Sequence, residues 1–498
     1  MVNTAIIMLD DDILLEIFNF YRLADIHGWN VRLGWCKLSH VCRRWRHLIH
    51  SSTFYLGMHI LCTNSTPIVD TLDHLPPLPL FINYRERHFQ MAFSSADDEL
   101  GIYHALRLRD RVRYIDLLVS PSTLDKSLRL MDKPFPILEH LSLLHTGCKV
   151  ISLTPLKTFL APNLRHLDLL GIRLPKRLRL LSSTLSLVTL KLTNIQASGY
   201  IRPRLLAARL ESLSQLEELS IGFSIPIPRP STERLLLGKQ GTPVMLSNLK
   251  SLTFRGVGIY LEHLISQTRA PVLEKLDITL FNQITFTLTH LSHFVNTTEQ
   301  IKISRTATIE FWPGAGPSIT LSHRVLIRPS AYYSGQAFTL RVMCKPLDWQ
   351  IDCAAQISNA LMSALSGIES LTMNNQIDVT PTQSHWQRDV DEVNDTDEIE
   401  DTTWHELLRS FVRVKELHID HHLSASLSRA LEVDEVVLDP GLLPDLQVLA
   451  SDYREIHANS LFGSFIHARQ SAGRPVSLHL PPSPSLASSL FGPRHGSP

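Results

Sequence analysis

Four residues near position 420 have the clearest capacity for chemistry: His418, Asp420, His421 and His422. Imidazole nitrogens and carboxylate oxygens are the ligands that zinc takes from such side chains. Strand alternation places His418 and Asp420 on one side of a short predicted strand and leaves the other two histidines in the turn that follows. This separation favours an exposed polar turn, and we predict that the chain has no metal site.

Motifs of nucleotide-binding and catalytic sites do not occur in the sequence. It contains no G-x-x-x-x-G-K-[ST], G-x-G-x-x-G, G-x-S-x-G or H-E-x-x-H, and His405-Glu406 lacks the second histidine four positions on. We therefore predict a protein that is not an enzyme and needs no cofactor.

The amino-acid composition of the chain indicates which partners and which cellular compartment to expect. The 498 residues include 48 basic and 48 acidic side chains, a balance that argues against a nucleic-acid-binding protein. The six cysteines form no C-x-x-C pair and are few for this length, as in a reducing compartment. The start of the chain lacks the pattern of a signal peptide, and no apolar run reaches the roughly 18 residues of a membrane span. A cytoplasmic or nuclear protein without membrane contact is expected.

Two short amphipathic helices are predicted near the start of the chain. One apolar face in the stretch from Leu38 to Leu48 comprises Leu38, Val41, Cys42, Trp45 and Leu48. The stretch from Leu9 to Phe18 carries an apolar stripe behind three aspartates, Asp10 to Asp12, which suit a helix N-terminus. About 50 residues cannot bury this much apolar surface alone, so the helices need a partner surface in this chain or another.

The run L-x-x-x-I-L-L-E-I-F, followed about two dozen residues later by V-C-R-R-W-R-x-L, resembles an F-box. Over residues 8–58 it is most similar to the F-box of the large mushroom-type family of fungal F-box proteins. Asp10 stands where that family usually has proline, which implies weaker helix initiation. The alternative interpretation is the first two helices of an ordinary domain.

The resemblance implies partners. F-box proteins dock onto the Skp-type adaptor of a cullin–RING ubiquitin ligase, and the rest of the chain selects the protein to be ubiquitylated. The residues that match the family's adaptor-facing positions are Leu9, Ile13, Leu14, Ile17, Phe18, Val41, Cys42 and Trp45.

A pattern of the form L-x-x-L-x-L recurs from residue 112 onward, at roughly 23 to 33 residue intervals. Its units begin at Val112, Leu138, Leu164, Leu187, Leu216, Leu249 and Leu273, weaken at Ile301 and Ile303, and resume at Ile368 and Val414. Helical stripes fill many of the intervals. The pattern is similar to leucine-rich repeats, in which each strand is followed by a returning helix. A generic α/β domain with leucine-rich strands is the alternative.

The predicted fold class is therefore α/β: an N-terminal all-α F-box followed by an irregular leucine-rich-repeat solenoid with a curved parallel sheet. The predicted boundaries are an F-box at 1–58, a linker and first capping repeat at 59–110, the solenoid at 111–303, a strand-rich segment without helices at 304–350, C-terminal repeats at 351–480 with an acidic loop at 385–402, and a disordered tail at 481–498.

Residues between the leucines of each unit should point away from the buried side and form one concave surface. His140 and His166 hold equivalent positions on neighbouring strands, either stacked as a pair or, more simply, as outward-facing polar residues. The surface is mixed in charge and suits a folded protein partner. The substrate-binding residues predicted on it are His140, His166, Asp168, Lys191, Glu218, Arg255, Lys275 and Asp277.

Taken together, these features predict the substrate-recognition subunit of an SCF-type (Skp–cullin–F-box) ubiquitin ligase. The competing hypothesis is a leucine-rich-repeat interaction scaffold without a ligase role.

Overall fold

The structure is a computed structural model and describes residues 9–25, 34–53, 56–64, 68–69, 72, 77–85, 96–145, 151–152, 158–173, 181, 184–227, 243–281, 285–302, 304–311, 318–322, 336–343, 347–375, 401–437, 442–451 and 455–479. The chain divides into two compact units, with the boundary between Ile225 and Pro226. Each unit is mixed α/β, and most neighbouring strands within it are parallel.

Unit 1 begins with three helices, α1 (Asp11–Asp25), α2 (Gly34–Ser39) and α3 (Arg43–Ser51). Two aspartates in the first turn of α1 oppose the positive end of the helix dipole, as the sequence predicted. The single helix predicted over Leu38 to Leu48 is wrong, because a turn at His40 and Val41 separates α2 from α3. Cys42 lies in extended backbone at the N-cap of α3, and its Sγ accepts the Trp45 N–H at 3.4 Å. The sulfur therefore caps a new helix and cannot belong to a continuous helical face.

The sheet of unit 1 contains seven strands that follow one another in chain order, all parallel. They are β1 (Ile60–Cys62), β2 (Leu80–Arg85), β3 (Val112–Leu118), β4 (His140–Leu144), β6 (His166–Leu170), β8 (Thr189–Ile195) and β9 (Glu218–Phe223). The segment 59–110, predicted as a linker and first capping repeat, thus supplies two strands of the sheet.

Three helices and a small second sheet lie between these strands. The helices are α4 (Ala96–Arg107), α5 (Pro121–Leu130) and α6 (Pro203–Leu210). The second sheet pairs β5 (Ile151–Ser152) with β7 (Ile172–Arg173). Strand followed by helix allows successive strands to run in the same direction.

Alternation along the strands of unit 1 explains which side chains form the core. In β4 and β6, Leu141, Leu143, Leu167 and Leu169 are buried, while His140 and His166 lie half-buried on the other face. A one-residue shift would exchange these faces, so the leucine spacing fixes the register. The predicted inward leucines and outward polar residues are confirmed in this unit.

The described part of unit 2 contains nine strands that pair side by side. They are β11 (Ser251–Gly256), β13 (Lys275–Phe281), β14 (Thr306–Phe311), β15 (Ser318–Ser322), β16 (Gln336–Met343), β17 (Ser370–Asn375), β18 (Glu416–Ile419), β19 (Val448–Ser451) and β20 (Ser477–His479). Their order across the sheet is β11-β13-β16-β15-β14-β17-β18-β19-β20. A separate pair joins β10 (Val244–Met245) to β12 (Thr268–Arg269).

The helices of unit 2 are α7 (Gly258–Ile265), α8 (Thr289–Thr297), α9 (Glu299–Lys302), α10 (Leu347–Ala360), α11 (Met362–Leu365), α12 (Asp401–Leu408), α13 (His421–Val437) and α14 (Glu455–Ser471). No helix in the described part of the chain is both long and apolar enough to cross a bilayer.

The segment 304–350 interrupts the parallel pattern. Strands without helices were predicted over this whole segment, but helix α10 already begins at Leu347. Strand β15 pairs antiparallel with β14 on one side and with β16 on the other. Antiparallel neighbours need no returning helix. The strand predicted at Ile301 is wrong, because that residue is buried in helix α9 and the strand begins at Thr306.

Some predictions fall on residues outside those the structure describes. They include the turn at Gly314 to Pro317, most of the acidic segment 385–402 and the tail 481–498. The last two residues of the acidic segment are described, and they open helix α12.

Candidate functional site

Helix α1 carries two apolar stripes with different surroundings. Leu14 and Phe18 are fully buried, and the Phe18 ring meets the half-buried Trp45 of α3 edge-on, with ring centroids 4.8 Å apart. Leu14 and Phe18 are spaced i and i+4, so they lie on the same face of α1. The ring contact between Phe18 and Trp45 holds α1 and α3 together. Burying the two rings against each other makes Phe18 and Trp45 part of the core between α1 and α3.

The second stripe of α1 faces solvent. Ile13, Ile17 and Phe20, at i, i+4 and i+7, are 47%, 46% and 76% exposed. Val41, in the turn before α3, is 59% exposed. Large apolar side chains exposed together on neighbouring short elements are typical of a protein-interaction surface. We call these four residues the apolar patch.

An ion pair connects the start of α1 to α3. Arg44 donates from Nε and Nη2 to Asp11 Oδ1, at 2.9 and 2.6 Å, and from Nη2 to the Leu9 carbonyl oxygen. The pair is exposed, so its contribution to stability is small, on the order of 0.5 kcal/mol. Its geometric effect is to fix the first turn of α1, where the sequence has Asp10 and no proline.

The three N-terminal helices lie in a segment that matches a known domain family. Residues 6–57 match the family model of the F-box domain. The match supports an F-box protein. F-box domains bind a Skp-type adaptor, and F-box proteins are in general non-catalytic adaptor subunits. A comparison with curated proteins finds no relative that matches the chain.

The predicted adaptor-facing residues occupy different positions in the F-box helices. Ile13, Ile17, Val41 and Cys42 are exposed, Leu9 and Trp45 are half-buried, and Leu14 and Phe18 are enclosed within the domain. Sequence reasoning missed Phe20, although its spacing from Ile13 and Ile17 follows one helical face.

A row of five rings lies on the outward face of unit 1, in which the first four are stacked and the last, His166, is tilted by 38° against His140. It joins His59 to Phe81, Tyr114, His140 and His166, with successive ring-centroid distances of 3.9, 5.4, 4.2 and 5.7 Å. The spacing follows from the register, since Tyr114, His140 and His166 pair directly across parallel strands about 4.8 Å apart. We call this row the ring ladder.

The ring ladder has a defined end, and burial lowers the pKa of two of its histidines, His140 and His166. His166 Nδ1 lies 3.1 Å from Thr189 Oγ1 on the next strand. Burial, with the nearby His166 second, lowers the pKa of His140 to about 4. Burial likewise raises the pKa of Tyr114 to about 12, ahead of the charge of Asp116. The rings of His140 and His166 are neighbours but tilted by 38°, so they are not stacked face to face as one sequence alternative had it.

A polar row runs beside the ring ladder, two residues further along each strand. Asp116, Ser142 and Asp168 pair in register on β3, β4 and β6. Lys191 of β8 continues the row and forms an ion pair with Glu218, Nζ to Oε1 2.8 Å. The structure thus brings together the predicted substrate residues His140, His166, Asp168, Lys191 and Glu218.

The remaining predicted substrate residues belong to unit 2. Asp277 of β13 forms an ion pair with Arg341 of β16, Oδ1 to Nη1 3.1 Å, and Lys275 is exposed at the start of β13. The guanidinium of Arg255 lies 5.8 Å from the Phe281 ring centroid. Asp277 and Arg255 therefore already have contacts within the chain, and Lys275 is exposed to solvent.

Asp420, His421 and His422 have side-chain ligand atoms within 4.8 Å of one another, and His418 is not part of this group. The turn predicted there is wrong, because His421 opens helix α13. Asp420 Oδ1 accepts the backbone N–H of His422 at 2.8 Å, as in a helix cap, and lies 3.3 Å from His421 Nδ1. His405, outside any metal motif, places Nε2 2.7 Å from the Ala430 carbonyl oxygen.

Proposed function

We propose that the chain is the substrate-recognition subunit of an SCF-type ubiquitin ligase. The apolar patch of the F-box carries this proposal, because an apolar surface exposed in this fold of helices is what an adaptor would cover. A cullin would be reached through the adaptor, and the chain itself would supply no chemistry.

The strand-bearing part of the chain would hold the substrate. Recurrent L-x-x-L-x-L units, parallel strands in chain order and intervening helices support a leucine-rich-repeat solenoid in unit 1. Ubiquitin transfer would then follow from proximity, since a held substrate has a raised effective concentration near the conjugating enzyme. A cytoplasmic or nuclear location, where such ligases act, belongs to the same proposal.

The adaptor contact is tested by substituting the apolar patch. Co-expression with a Skp-type adaptor should give a stable complex with the wild-type chain, whereas Ile17→Lys should weaken it at least about thirtyfold, the loss expected at an interface hot spot. The lysine replaces a side chain that is already 46% exposed, so the melting temperature should change little.

Leu205→Lys is the matched control, because Leu205 is a 59% exposed residue of α6, outside the F-box. It should leave adaptor binding unchanged. If Ile17→Lys binds the adaptor as tightly as the wild type does, the adaptor does not bind at the apolar patch. A complex that contains the adaptor but recruits no cullin would favour the scaffold hypothesis.

A further inference from the structure

The polar row of unit 1 holds hydrogen-bond acceptors that the chain does not use. Asp116 Oδ1 and Ser142 Oγ are buried, and among the residues that the structure describes neither atom has a hydrogen-bond partner. Both residues are only 3% exposed. Unpaired buried polar atoms cost on the order of 1–3 kcal/mol each, so a native fold seldom keeps them without a reason.

Asp168 adds an acceptor at the accessible end of the row. Among the residues that the structure describes, none forms a hydrogen bond or an ion pair with its carboxylate. Burial raises the pKa of Asp168, and the positive charges of Lys191 and Arg85 oppose this rise. Its neighbour Lys191 already contacts Glu218.

The cation nearest to Asp116 is weakly held. Arg85 Nη1 lies 3.6 Å from Asp116 Oδ2, and the Arg85 side chain is 57% exposed. Such a contact is worth little, roughly 0–1 kcal/mol. The Tyr114 hydroxyl donates to the same oxygen at 3.5 Å, a long hydrogen bond that leaves room for a further donor. An incoming guanidinium or ammonium group could displace the Arg85 side chain. It could then donate hydrogen bonds to Asp116 Oδ2 and to the acceptors without a partner, Asp116 Oδ1 and Ser142 Oγ.

The ring ladder provides the apolar side of this site. Tyr114 and His140 lie two positions before Asp116 and Ser142 on the same strands and the same face. Their rings stack with an interplanar angle of 10° and hold each other in place. The methylene stem of a long basic side chain can lie along them while its charged end reaches the polar row.

We propose that this face binds an arginine or lysine side chain of the protein substrate, with Asp116, Ser142 and Asp168 accepting from its charged end. Arginine fits best. The strand register places the carboxylates of Asp116 and Asp168 on either side of Ser142, with their Cα atoms roughly 10 Å apart. A guanidinium group donates hydrogen bonds in several directions, so it can address acceptors on both sides. The assignment rests on the proposed function, in that it names the substrate chemistry of the same receptor.

Selection from a random dodecapeptide phage library, on the immobilised full chain co-expressed with the adaptor, tests the proposal. Arginine or lysine should be enriched at one position of the bound peptides. The best peptide, synthesised with a fluorophore, should bind at least about tenfold more weakly when that residue is glutamine, the loss of a charge-assisted hydrogen bond.

Asp168→Asn should produce the same tenfold loss and should make the peptide's glutamine substitution nearly silent. Glu369→Gln, which changes a carboxylate of unit 2 that already contacts Arg305 and Lys415, is the matched control and should bind as wild type. Unchanged melting temperatures would show that both variants fold.

Peptides without a basic preference, a preference that survives Asp168→Asn, or a library that yields no binding peptide would each overturn the site. Adaptor co-purification is scored separately. Loss of adaptor binding with the basic preference intact would reject the ligase role and leave the site standing.

Discussion

His140 shows how a neighbour on the next strand can set the charge of a side chain. Its pKa in the folded chain, about 4, lies below the ordinary histidine value near 6.5, because burial and His166 both disfavour the charged ring. The folded state therefore binds this proton less readily than the unfolded state. The neutral ring favours folding above about pH 6.5, and that contribution is lost as the pH falls towards 4.

We expect the melting temperature to fall more steeply between pH 6.5 and 4 in the wild type than in His140→Phe. Phenylalanine keeps a ring in the ladder but cannot take up a proton. Differential scanning fluorimetry across this range measures the difference between the two slopes. Parallel curves would mean that His140 does not titrate in this window.

The junction between β6 and β7 depends on a glycine. Gly171 has φ of +68°, and a Cβ built there would lie 2.2 Å from the His145 carbonyl oxygen. Its N–H also donates to the Thr193 carbonyl oxygen at 3.0 Å. Backbone must therefore move before any larger residue fits.

Gly171→Ala should lower the free energy of unfolding by about 3 kcal/mol or more, since strain from positive φ adds to a backbone overlap. Gly473→Ala is the control, because Gly473 has φ of +74° and open space around it, and should cost only about 1 kcal/mol. Urea denaturation separates these values. Equal losses would show that the approach to His145 relaxes freely.

At the scale of elements, periodicity predicted the leucine strands and helices α1, α6, α7, α8 and α10, because burial of one face acts on every repeat of the pattern. It failed at α2 and α3, where the spacing from Leu38 to Leu48 fits one helix but Cys42 caps a second. A cap depends on local backbone geometry, which apolar spacing does not encode.

The ring ladder was only half predictable. His140 and His166 sit within strong leucine units, whereas His59 and Phe81 belong to a segment interpreted as a linker. The alternation of Leu80, Ile82 and Tyr84 against Phe81 and Asn83 was a usable signal for that strand. The unused acceptors of the polar row depend on side-chain packing between strands, and no pattern in the sequence reports it.

At the scale of the whole molecule, two features favour association of the isolated chain. Its formal net charge at pH 7 is zero, so little repulsion separates copies, and the apolar patch is exposed. We expect light scattering at neutral pH and low salt to detect oligomers of the chain alone. A bound adaptor or Ile17→Lys should reduce them, because each removes apolar surface from solvent. Equal scattering from Leu205→Lys and Ile17→Lys would contradict this role for the patch.

The reversed strand order of β14, β15 and β16 has a consequence during synthesis on the ribosome. In unit 1 each strand can pair with its predecessor as soon as it emerges. Strand β13 instead pairs with β16. One edge of β13 therefore stays unpaired after Phe281 has been translated, until Gln336 and the residues after it have also been translated. At about 5–20 residues per second this leaves an unpaired hydrophobic edge open for several seconds, the interval in which a nascent chain is most exposed to mispairing and most in need of a chaperone.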